Sequence, residues 1–147
     1  MLTRLQKLRR LPAEERWLLV QSAVLLPIVH LALKFISVAR LQGLVTRAMR
    51  APRPRQISPQ ATARMVRIAA HRGLYHFKCL DQSLVLGWLL RRHGTDARIV
   101  FGARKEDNQM EAHAWVEVDG LALNDDIHQH FSPFEELTAT SVNLTTP

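Results

Sequence analysis

Three residue types that together perform nucleophilic catalysis follow one another in this chain: a thiol at Cys79, an imidazole at His113, and carboxylates at Asp125 and Asp126. Cys79 is the only cysteine. It opens an apolar, helix-patterned run that continues to His93 and is closed by Gly94. That places the sulfur in the first turn of a helix, where unsatisfied N–H groups and the helix dipole favour an anion. A free thiol titrates near ~8.5 and is mostly protonated at neutral pH unless a base is close. His113 is the candidate base, taking the thiol proton and holding it for a leaving group. A carboxylate on a neighbouring strand would bind the other ring nitrogen and fix its tautomer.

Strands must carry the second and third groups. Ala97 to Arg104, Glu111 to Val118 and Leu121 to Asn124 read as strands, with a turn at Asp119-Gly120. A two-residue turn pairs Val118 with Leu121 and puts His113 opposite Asp126, whereas a three-residue loop with a glycine bulge puts it opposite Asp125. Asn124 pairs away from His113 in either register. Trp115, two residues from His113 on the same strand face, is a candidate wall of the site, a substrate contact or a packing residue.

With 147 residues the chain can bury one ordinary core. We expect a basic, leucine-rich helical region with a Pro/Arg linker over 1–56, a catalytic core over 57–138 and a disordered tail over 139–147. A lone cysteine suits a reducing compartment, and neither an apolar core directly after the basic residues nor a cleavage site marks a secretory signal, so the expected location is cytoplasmic. Residues 1–72 hold fourteen basic and two acidic side chains, and residues 73–147 hold six and eleven. Such asymmetry points to a charged partner or to two halves facing each other.

Trp17 to Phe35 is long enough to cross a bilayer. His30, Lys34, Ser37 and Arg40 fall three or four apart, which reads as the polar face of an amphipathic helix, kinked or divided near Pro27. Flanking arginines allow peripheral membrane contact through this region. Ser58-Pro59 predicts a capped helix from about Pro59 to His71 that stops at Gly73. Ser132-Pro133-Phe134-Glu135 resembles a capping box and predicts a last short helix.

Two other classes were weighed. Arg47, Arg50, Arg53, Arg55, Arg64 and Arg67 could contact nucleic acid, making this a binding module with a non-catalytic thiol, but charge alone gives nonspecific affinity and no nucleic-acid fold signature accompanies it. His128 and His130 with His113 and Cys79 could bind zinc, although no helical His-x3-His motif is present.

The run from Leu89 to Gly102, the strand His113-Ala114-Trp115-Val116-Glu117-Val118 and Leu123-Asn124-Asp125-Asp126 are similar to the transglutaminase-like cysteine-peptidase superfamily, and more narrowly to the stand-alone leader peptidases of lasso-peptide biosynthesis. The likeness spans roughly 59–137. It implies an α+β, papain-like core in which a nucleophile-bearing helix packs on a small antiparallel sheet. It also implies a peptide-hydrolysing triad of Cys79, His113 and Asp125, needing no cofactor. The implied partners are a precursor peptide, a separate leader-recognition protein and an ATP-dependent lasso cyclase, with no nucleic acid expected. Asp81-Gln82 departs from relatives that often carry a charged pair ending in Arg, which bears on substrate contacts.

Overall fold

The computed structural model describes residues 9–47, 57–72, 75–124 and 131–133. Among the described residues the elements run α1 (Ala13–Phe35), α2 (Val38–Arg47), α3 (Pro59–Arg72) and α4 (Cys79–Arg92), then β1 (Ala97–Glu106), β2 (Gln109–Val118), β3 (Leu121–Ala122) and β4 (Ser132–Pro133). The strands form one antiparallel sheet in the order β3-β2-β1-β4. Helix α4 lies on β1 and β2, α3 packs against α4, and α1 packs on both helices. The architecture is α+β.

Local chemistry explains the boundaries. Ser58 caps α3: its hydroxyl accepts from the Ala61 N–H at 3.4 Å and its carbonyl from the Thr62 N–H at 3.0 Å, with Pro59 at the first helical position. Helix α4 ends in a Schellman arrangement, in which the Gly94 N–H donates to the Arg91 carbonyl and the Thr95 N–H to that of Leu90. Gly94 supplies the positive φ of 82° that this requires. Both hairpin loops have two residues with positive φ, Asp107-Asn108 and Asp119-Gly120, the twist that matches antiparallel strands.

One apolar cluster joins helices and sheet. Leu84, Leu86, Leu89 and Leu90 of α4 meet Ile99 and Val116 on the sheet, Met65 and Val66 of α3, and Leu18 and Leu26 of α1. Gly87 lets α4 approach the sheet, since a Cβ there would stand 3.0 Å from the Ile99 side chain. A second cluster, Val100, Trp115 and Phe131, is built on outward residues of the strands. Arg104 stacks over Phe131 at 4.8 Å and is bonded to Glu111 and Glu106. The hydrogen bond to Glu111, with the charge of Glu106 behind it, raises the proton affinity of that guanidinium.

Three local expectations change. Helix α1 is not divided at Pro27. Pro27 and Ala23 are both exposed, so the Ala23 carbonyl that loses its intrahelical donor faces water. His30 does not share a solvent face with Lys34 but turns inward to a buried carboxylate, and the outward face of α1 is apolar. Ser132 and Pro133 do not begin a helix: they pair with Ala103 and Gly102, because β1 offers an open edge there. The predicted stop at Gly73, the 51–55 linker and the tail lie outside the described residues.

Gly102 is the tightest point of the sheet. A Cβ there would meet the Trp115 ring at 2.8 Å and the Ser132 carbonyl at 2.9 Å. Gly102→Ala is therefore expected to cost about 1–3 kcal/mol by overpacking, measured as a lower midpoint in urea denaturation with the slope unchanged.

Candidate active site

Cys79 is the first residue of α4, partly exposed and free. The turn before it is held by the next two polar side chains. Asp81, 2 % exposed, accepts from the Lys78 N–H at 3.0 Å, closing the first turn of the helix as a capping carboxylate does. Gln82 donates from Nε2 to the Phe77 carbonyl at 2.9 Å. Asp81-Gln82 thus fastens the chain entering Cys79, and Asp81 is buried away from any substrate.

The buried carboxylate of Asp81 has a second partner. His30 Nδ1 lies 3.1 Å from Asp81 Oδ2, and its ring packs against Tyr75 at 4.9 Å and Phe77 at 6.0 Å. A residue of α1 therefore reaches the start of the cysteine helix. Sequence reasoning missed this contact. The available signal was a histidine within an apolar helix, but nothing in the spacing paired position 30 with position 81.

The strand side is positioned by Ser83, one turn beyond Cys79 and fully buried. Its hydroxyl donates to the Ala114 carbonyl at 3.0 Å and accepts from Asn124 Nδ2 at 3.1 Å. Asn124 Oδ1 in turn accepts from the Val116 N–H at 2.8 Å. The β2–β3 hairpin has the two-residue loop, with Val118 paired to Leu121 and Glu117 to Ala122. A continued ladder would give the Val116 N–H to the Leu123 carbonyl. The Asn124 side chain takes it instead, and Ser83 takes the Ala114 carbonyl that a longer β3 would have used. Asp125 and Asp126, the two candidate orienting carboxylates, lie outside the described residues.

His113 sits on β2 beside this junction, opposite Gly102 of β1. Its ring stacks on Phe131 at 4.8 Å and on Trp115 at 6.1 Å, with interplanar angles of 27° and 25°. Trp115 is 1 % exposed and donates from Nε1 to Glu117 at 2.9 Å. It is a buried packing residue that backs the imidazole. Cys79 and His113 line one cleft of about 600 Å³. The rest of the wall is largely apolar: Leu80, Phe101, Ala112 and Ala114, with Ser37, Val38 and Ala39 from the α1–α2 junction and Lys78 at the helix start. Of the predicted site residues, Cys79 and His113 are both among those that line this cleft. A thiol and an imidazole sharing such a wall can carry acyl chemistry on a bound carbonyl.

Among the described residues no group of three or more His, Cys, Asp and Glu is placed to hold a metal ion. His128 and His130 lie outside them. Of the six arginines considered for nucleic acid, Arg64 is engaged within the fold by an ion pair with Glu15 of α1.

Ser83→Ala and Asn124→Ala each remove part of one buried network and leave a partner unsatisfied, so each is expected to cost about 1–3 kcal/mol. The double variant should cost less than the sum by ~0.5–3 kcal/mol, as a double-mutant cycle of chemical denaturation would show.

Searches of curated proteins and of solved structures each gave no significant match. The family model described as transglutaminase-like superfamily matches residues 22–137, which reaches back through most of α1 as well as the cysteine helix and the sheet. With that family match over most of its length, the chain belongs to the transglutaminase-like superfamily.

Proposed function

We propose that the protein is a cysteine peptidase that removes the leader from a ribosomally made lasso-peptide precursor. The observation that carries the peptidase reading is the common cleft of Cys79 and His113. The narrower substrate is supported by the resemblance of His113-Ala114-Trp115-Val116-Glu117 with Asn124-Asp125 to the stand-alone leader peptidases of that pathway.

In this mechanism His113 takes the Cys79 proton as sulfur attacks the scissile carbonyl carbon. The C–N bond breaks, His113 gives the proton to the leaving amine, and a thioester remains. Water, deprotonated by His113, then hydrolyses the thioester to a carboxylate and restores the thiol. Asp125 orients the imidazole through its far nitrogen. The Cys79 N–H, at the first helical position and so unused by the helix, is the proposed oxyanion donor. Apolar walls from Val38, Leu80 and Phe101 receive side chains flanking the cleaved bond. The enzyme works in the cytoplasm with a separate leader-recognition protein that presents the precursor, and a lasso cyclase consumes the product.

The test combines purified enzyme, precursor and leader-recognition protein, with products read by mass. Wild type should yield free leader with one added water, and Cys79→Ala and His113→Ala should each lower the rate by a factor on the order of 10³ or more. Cleavage by Cys79→Ala at the wild-type rate rejects the mechanism, and an amine-linked product in place of free leader redirects it to amide transfer. Asp125→Asn should lose activity far more than Asp126→Asn, and the reverse order moves the orienting role to Asp126.

A further inference from the structure

The outward face of α1 has no counterpart in the rest of the fold. Trp17, Val20, Val24, Ile28, Leu31 and Phe35 recur at intervals of three and four and are 53 to 82 % exposed, which makes one continuous apolar stripe along the 23-residue helix. From Trp17 to Phe35 the stripe runs about 27 Å at 1.5 Å per residue, which exceeds the scattered surface hydrophobes of ordinary soluble proteins. Its edge is basic: Arg16 and Lys34 are exposed, lie about five helical turns apart and so project along the same side of the stripe. Arg9, Arg10 and Arg40 are exposed beyond its two ends. Glu14 is the exposed acidic residue of this helix, and Glu15 is turned inward to Arg64.

By length and composition α1 could cross a membrane. Its opposite face argues for another disposition. Leu18, Ser22 and Leu26 are fully buried, and His30 is bonded to Asp81 at the start of the cysteine helix. A spanning helix would have to leave that core, whereas a helix lying in the interface keeps it and buries only the outer stripe.

We infer that α1 docks this protein in the plane of an anionic lipid surface, with the stripe from Trp17 to Phe35 among the acyl chains and the bordering arginines and lysine on the headgroups. Acidic headgroups fit the basic edge, and each cation near such a surface adds to the attraction. Phe35, 82 % exposed, lies two residues from Ser37 on the wall of the Cys79–His113 cleft. Docking would therefore hold the cleft close to the lipid surface. The inference does not depend on the peptidase reading, since it rests on the helix alone.

The experiment is co-sedimentation of the full chain with vesicles of phosphatidylcholine alone and of phosphatidylcholine mixed with phosphatidylglycerol. Wild type and Cys79→Ala should both sediment with the anionic vesicles, more weakly with the neutral ones, and less as salt is added. The triple variant Val24→Gln, Ile28→Gln, Leu31→Gln changes only exposed side chains and should keep the circular dichroism and melting of wild type. Its partitioning is expected to fall about tenfold or more, while Met110→Gln, an exposed apolar residue on the sheet, should behave as wild type. A wild type that stays in the supernatant with anionic vesicles overturns the proposal, as does equal sedimentation of the triple variant. If the wild type binds no vesicles and the triple variant instead dissolves a dimer or loses binding to the leader-recognition protein, the stripe is a protein interface and the proposal fails.

Discussion

The structure of the site depends on the hydroxyl of Ser83. It is buried between α4 and the edge of β2, where it donates to the Ala114 carbonyl and accepts from Asn124. Each of these groups would be costly to leave unpaired away from water. Their joint satisfaction fixes the axial position of the cysteine helix against the histidine strand, because Ser83 is one turn from Cys79 and Ala114 adjoins His113. It also ends β3, since the Asn124 side chain occupies the Val116 N–H that a further strand residue would have taken.

A second polar contact holds the other end of the arrangement. Asp81 closes the first turn of α4 on the Lys78 N–H and meets His30 of α1, so the N-terminal helix and the cysteine helix share one buried carboxylate. The apolar core is continuous through the same elements, with Leu18 and Leu26 of α1 in the cluster that contains Leu84 and Val116. Removing α1 would expose both that core and the Asp81 carboxylate. The helix is therefore part of the scaffold that carries Cys79, which accords with a family match that begins within it.

The uneven charge of the chain resolves into two uses. In the second half, acidic residues pair across the sheet, Glu117 with Arg98 and Glu111 with Arg104, while Glu106 pairs with Arg104 along β1. These exposed pairs add little stability individually and set strand register and surface polarity. In the first half Arg64 pairs with Glu15, and the exposed arginines around α1 have few acidic neighbours in sequence. That surplus borders the apolar face of α1, a combination suited to an interface in which one side is apolar and the other negatively charged.

Local patterning determined much of this molecule. The helix from Cys79 closed by Gly94, the Ser58-Pro59 start of α3, the long strands and the hairpin at Asp119-Gly120 follow from caps, periodicity and turn chemistry, all of which act over a few residues. The placing of Cys79 at a helix start and of His113 in a strand was legible for the same reason, and two-residue pairing of Val118 with Leu121 was one of two registers the turn permitted. Tertiary structure decided the rest. It turned His30 inward and left an apolar face outward, although spacing had marked His30 with the polar residues, because a buried carboxylate 51 positions away needed a partner. It made Ser132 and Pro133 a strand, because the open edge of β1 outweighed a local capping signal. It broke the regular ladder beyond Ala122: the Leu123 N–H still donates to the Val116 carbonyl, but the Asn124 side chain takes the Val116 N–H in return. Contacts between residues far apart in the chain leave no periodic trace, so the sequence named candidate residues while packing and hydrogen-bond satisfaction set the elements that carry them.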